Sequence, residues 1–97
     1  MIIVTGAITA TPQTRDALLA ISIAHVARSR AEPGCISHNV HCDCEDMMRL
    51  VFVERWADMA TLKAHFAVPE SVVFGQAAVR LGVGRPEISV YEATPAP

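Results

Sequence analysis

Basic runs, long apolar runs, a paired set of cysteines and glycine-rich phosphate motifs are all missing from this 97-residue chain, and each absence removes a class of function. Eight Lys and Arg stand against ten Asp and Glu and are scattered, so no segment builds the positive surface that nucleic acid or an anionic membrane requires. No apolar stretch approaches the ~18 residues of a membrane span, and the opening M-I-I-V-T-G-A-I-T lacks the basic start and cleavage site of an export signal. The expectation is a cytoplasmic protein with neither membrane nor nucleic acid among its partners. Cys35, Cys42 and Cys44 are an odd number for a disulfide framework and read as free thiols. Without a G-x-S-x-G, a phosphate loop or a G-x-G-x-x-G, hydrolase, kinase and dinucleotide-binding readings have no support.

What the chain has in excess is apolar side chain. The hydrophobic fraction is 52% without glycine, against roughly 45–50% for an average globular chain with glycine included. One domain over residues 1–97 hides that much surface poorly, which points to a homo-oligomer.

Met1 to Thr9 is rich in Ile, Val and Thr on both parities and reads as a strand covered at least partly on both faces. Thr11-Pro12 reads as a helix start, with the helix running to about Ala31. On that helix Arg15, Ser22, His25 and Ser29 share an arc read as solvated, and Leu19, Ala20, Ile23, Val26 and Ala27 form the covering face. E-P-G, Glu32 to Gly34, stops the helix. Strands are expected over Cys35 to Cys42, with Ile36, His38 and Val40 on one side, and over Met48 to Trp56, joined as a hairpin by a four- to six-residue loop. Asp58 caps a short helix from Met59 to about Phe66, a second runs from Pro69 to Leu81, and a last strand covers Glu87 to Tyr91. Residues 93–97, ending T-P-A-P, are expected to fray.

Strand, helix, strand, strand, helix pair, strand is a ferredoxin-like α+β order: a split β-α-β arrangement with the helices on one face of an antiparallel sheet. Both parities of the first and third strands are apolar, including Ile3, Val51 and Val53. A second copy laid on the open face is the simplest cover, giving a homodimer.

The segments A-E-P-G-C-I-S-H-N-V-H and R-L-V-F-V-E-R-W-A-D-M-A-T-L-K-A-H-F-A-V-P carry a resemblance to the antibiotic biosynthesis monooxygenase (ABM) family, spanning nearly the whole chain. Its most specific pieces are the E-P-G-C turn (Glu32 to Cys35), the E-R-W strand end (Glu54 to Trp56) and the L-x-x-H helix (Leu62 to His65), followed by Pro69. The resemblance implies a dimeric α+β barrel. It also implies an oxygenase that converts phenols, quinols or anthrones to quinones with O₂ and no metal, flavin or haem. Other members of the family degrade haem or have no known activity, so a haem-degrading enzyme and a non-catalytic small-molecule-binding or stress-response protein stand as alternatives. This chain departs from the family pattern in having His38 where a tyrosine is common, Glu70 where a histidine follows the proline, and Thr5 where the haem branch has asparagine. Haem is therefore not expected.

Oxidation without a cofactor needs an apolar pocket, an aromatic wall, a base and a donor for the developing anion. Trp56, His65 and His38 are the expected catalytic residues, with Trp56 as the wall; Phe52, Phe66, Leu62 and Asn39 are the expected substrate contacts. The run H-x-x-H-C-x-C, His38 to Cys44, contains zinc-ligand types. Strand alternation sends His41 away from His38, Cys42 and Cys44, so no metal site is expected there.

Overall fold

The computed structural model describes residues 1–97 as β1 (Ile2–Thr9), α1 (Arg15–Ser29), β2 (Cys35–Asp43), β3 (Asp46–Trp56), α2 (Met59–Ala67), α3 (Pro69–Leu81) and β4 (Glu87–Glu92). The strands make one antiparallel sheet in the order β2-β3-β1-β4. β1 and β2, joined through α1, are separated by β3, which is the split β-α-β order expected from the sequence. No helix is long and apolar enough to cross a membrane. Residues 93–97 form no regular element, although Ala93 and Met1 exchange backbone hydrogen bonds.

Sheet register defines two faces. Ile2, Val4, Ile8, Leu50, Phe52 and Trp56 point to the helices and are buried. Ile3, Thr5, Val51 and Val53 alternate with them on the other face, which no element of the chain covers, and Ile3, Val51 and Val53 are only half-buried. Helix α2 opens with Asp58, whose carboxylate accepts from Thr61 N at 2.8 Å, while Thr61 Oγ1 accepts from Asp58 N at 3.4 Å, a reciprocal cap. Gly34, at φ +81°, lets the E-P-G turn lie directly on Thr61; a Cβ there would collide with that side chain. The turn thereby carries Glu32 beneath α2.

Four local expectations are corrected. Helix α1 starts at Arg15. Pro12 lies in a preceding turn closed by Thr11 and Thr14, whose hydroxyls and backbone N–H groups bond one another. The hairpin connection is only Cys44 and Glu45, because Asp43 Oδ1 accepts from Glu45 N at 2.9 Å and tightens the turn. A register shift between Cys35 and Ser37 makes Ile36 the extra residue of a bulge, exposed and no longer on the parity of His38.

The fourth correction is the largest. The buried residues of α1 are Leu18, Ser22, His25, Val26 and Ser29, while Ile23 is exposed. The arc read as solvated faces inward. Serines make this possible: they are small enough for close helix–sheet approach, and Ser29 Oγ disposes of its proton on His25 O at 2.6 Å.

Candidate functional site

The covered face of the sheet is apolar at both ends and polar between them. Ile8, Leu50 and Phe52 pack with Leu18, Val26 and Ala78 at one end; Ile2, Val4 and Trp56 pack with Leu62 at the other. In the gap, His38 and Glu54 are direct cross-strand partners, His25 descends from α1 and His65 from α2. All four are buried, His38 completely. The imidazole centroids of His25, His38 and His65 lie 5.3 to 5.4 Å apart.

Each ring has a different set of contacts. His65 Nδ1 is 2.8 Å from Glu32 Oε1. A carboxylate can only accept, so Nδ1 carries a proton, and in the neutral ring the lone pair is on Nε2. The same ring lies against the Trp56 indole, with centroids 4.6 Å apart. Trp56 Nε1–H donates to Glu54 Oε1 at 2.9 Å, and that oxygen is 3.3 Å from His38 Nε2 and 4.0 Å from His65 Nε2. The 3.3 Å approach lacks hydrogen-bond alignment, so it is an electrostatic contact and both ring nitrogens of His38 are without a hydrogen-bond partner. His25 Nδ1 accepts from Arg28 Nη2 at 2.8 Å, and its ring stacks on Phe74 at 4.0 Å.

Electrostatics sort the group further. Burial, then the proximity of His38, Arg28 and His65, lowers the His25 pKa to about 3, so this imidazole is neutral at physiological pH. Burial alone would raise the Glu54 carboxyl; contact with His38, the Trp56 N–H and the His65 ring outweigh it and hold Glu54 below the usual range, as a carboxylate. Burial, with help from Glu54 and Glu32, raises the Cys35 thiol, which is therefore a poor nucleophile.

A cavity of about 210 Å³ opens from this polar group toward β4. Its floor is Val4, Gly6, Ile8 and Phe52, its roof Phe74, Gly75 and Ala78 of α3, and its polar end His25, Glu54 and His65. Of the residues expected from the sequence, His65, Phe52 and Phe66 line it. His38 and Trp56 are joined to the polar group but stand behind its cavity-facing members, and Leu62 is core packing. The indole is thus the backing of His65 and not a wall of the cavity. Asn39 is on the uncovered face opposite Val53, its Oδ1 accepting from Arg30 Nη2 at 3.1 Å, because its strand parity is the reverse of His38. His25, Glu32 and Glu54 belong to the group and were not among the expected site residues. The available signal was Glu54 itself, a carboxylate on the inward parity of Phe52 and Trp56.

Residues 1–76 match the sequence profile of the family described as antibiotic biosynthesis monooxygenase. Among solved structures, a candidate antibiotic biosynthesis monooxygenase from Deinococcus radiodurans superposes with a TM-score of 0.94 at 25% identity, over 99% of this chain and 95% of that one. PA3566 from Pseudomonas aeruginosa gives 0.86 at 29% identity, over 97% and 94%. Rv0793 from Mycobacterium tuberculosis, at 23% identity, 0.91 and 98% and 96% coverage, shows the same fold. A functionally uncharacterised Synechocystis protein, sll1783, is 32% identical over 91 residues, which is 94% of this chain but only 62% of that protein's length.

Proposed function

The chain belongs to the antibiotic biosynthesis monooxygenase family, and from that premise we propose that it binds a small electron-rich aromatic in the cavity beside His65 and oxidises it with O₂. The observation that carries this reading is the placement of His65: a buried imidazole at the cavity's polar end, its Nδ1–H fixed on Glu32 and its Nε2 4.0 Å from the nearest carboxylate oxygen, that of Glu54. That is the arrangement of a general base oriented by a carboxylate.

The reaction asks little else of the protein. His65 Nε2 takes the phenolic proton, and the phenolate passes one electron to O₂. The radical pair combines at a ring carbon bearing hydrogen, and the peroxide is protonated by the imidazolium. Loss of water across the C–H and O–O bonds leaves a carbonyl. Phenol plus O₂ gives quinone plus water, and all four electrons come from the substrate, so this route uses no flavin, haem or metal. Phe52 and Phe74 supply apolar surface that excludes water from the radical pair.

Cavity size selects among substrates. A cavity on the order of 150 Å³ suffices to hold benzene, so 210 Å³ suits one substituted ring and is tight for three fused rings. Monocyclic quinols and phenols are accordingly the proposed class, ahead of anthrones, and a tetrapyrrole exceeds the space. Oxygen uptake with monocyclic hydroquinones should exceed the buffer rate and fall for tricyclic anthrones; uptake no greater than buffer across the monocyclic panel contradicts the assignment.

The protein is further proposed to act as a homodimer packed through its uncovered sheet face, where Ile3, Val51 and Val53 adjoin an exposed Tyr91 across the sheet. Val53→Glu at the middle of that face should convert the dimer to monomer in sedimentation velocity; an unchanged dimer places the interface elsewhere.

A further inference from the structure

The polar group holds more ligating atoms than a single base requires. One ring nitrogen from each of His25, His38 and His65 lies within 4.8 Å of the others, and Glu54 Oε1 sits 3.3 and 4.0 Å from Nε2 of His38 and His65. His38 is the telling residue: fully buried, with neither nitrogen hydrogen-bonded. Such a group costs stability unless something accepts its lone pair.

We propose that His38, His65 and Glu54 bind a divalent first-row transition-metal ion, with His25 as a fourth ligand. Imidazole and carboxylate together suit zinc, cobalt, nickel or iron in the divalent state. Bonds of about 2.0–2.2 Å at tetrahedral angles separate neighbouring ligand atoms by roughly 3.4 Å. The His38–Glu54 spacing of 3.3 Å already meets that value, and the His65–Glu54 spacing of 4.0 Å needs a small contraction. Outer-shell partners are in place for His65 and Glu54. Glu32 accepts the far N–H of His65, the pairing that orients metal-bound histidines, and the Trp56 N–H fixes Glu54. Arg28 holds His25 Nδ1 but also reaches Ser71 Oγ at 3.2 Å, so His25 can turn its lone pair inward without stranding the guanidinium. The carboxylates of Glu32 and Glu54 offset the charge of a divalent ion, and the Arg28 guanidinium beside His25 adds one positive charge at the edge of the group. The cavity gives the ion a route in and leaves one side of it open.

An ion on His65 Nε2 occupies the lone pair that the oxidation reading uses as its base, so the two exclude each other at that atom, and the test of the ion needs no substrate. Cobalt(II) titrated into the metal-free full-length chain should develop visible d–d bands that saturate at one ion per chain and are bleached by zinc(II). In the wild-type protein, zinc should shift the ¹⁵N signals of His38 and His65 Nε2 and leave those of exposed His41 in place. Glu32→Gln should weaken binding by about 10- to 100-fold, His38→Phe by more, and a Cys42→Ser, Cys44→Ser double variant not at all. Absence of saturable binding overturns the proposal. So does a cobalt spectrum that disappears in the double cysteine variant, because the ion then sits on the β2–β3 turn. Because the imidazole signals are read in the unaltered protein, a misfolded His38→Phe cannot mask either result.

Discussion

His65→Asn should reduce aromatic-dependent oxygen uptake by about 10²- to 10⁴-fold, the usual contribution of a positioned general base, while leaving the fold and ring binding nearly intact. Asparagine is the informative replacement because its amide N–H occupies the place of Nδ1–H and still donates to Glu32, whereas nothing replaces the Nε2 lone pair. Alanine would confound the result by stranding a largely buried carboxylate. The expected signature is a fall in kcat with a nearly unchanged KM, since a base acts in the transition state and contributes little to ground-state binding. A variant that turns over at the wild-type rate removes His65 from the chemistry.

Trp56→Ala should be the most damaging single change to stability. The indole is fully buried, joins Ile2, Val4 and Leu62 in one core cluster, supports the His65 ring and donates to Glu54. Truncating such a side chain costs about 3–5 kcal/mol, a large share of the roughly 5–15 kcal/mol that stabilises a domain. At about 4–8 °C per kcal/mol for a chain of this size, Tm should drop on the order of 12–40 °C in a thermal melt. Trp56→Phe keeps most of the packing and loses the N–H, so it should cost about 1.5–3 kcal/mol, the value of a hydrogen bond to a charged group. KM for the aromatic should stay close to the wild-type value in Trp56→Phe, because the indole does not reach the cavity. A large KM increase with unchanged Tm would restore the indole as a cavity wall.

Strand and helix order was legible because each element carries its own signal. Apolar, β-branched-rich runs mark β1 and β3, Asp58 marks the start of α2, and Pro69 marks that of α3. Ile36 was misplaced because a bulge changes parity without any mark in composition. His65, Phe52 and Phe66 line the cavity, and of these Phe52 was legible as inward from the strand alternation it shares with Leu50 and Trp56. His25 was not, and the reason is physical: a polar arc on a helix faces water by default, and only partners from other elements reverse that default. Those partners, Phe74 against its ring and His38 and His65 beside it, come from three other elements, and no local pattern announces their meeting. Glu32 escaped notice for the same reason, since its role as a helix stop was local and its bond to His65 spans 33 residues.

The central claim is that the space beside His65 receives an aromatic ring. It is tested most directly by crystals soaked with a monocyclic hydroquinone under nitrogen, where binding occurs and oxidation cannot. Density for the ring in the cavity lined by Val4, Ile8, Phe52 and Phe74, with a hydroxyl within hydrogen-bond distance of His65 Nε2, is the predicted result. A ring held in the groove between α1 and α3, or hydroxyls turned away from His65, contradicts it.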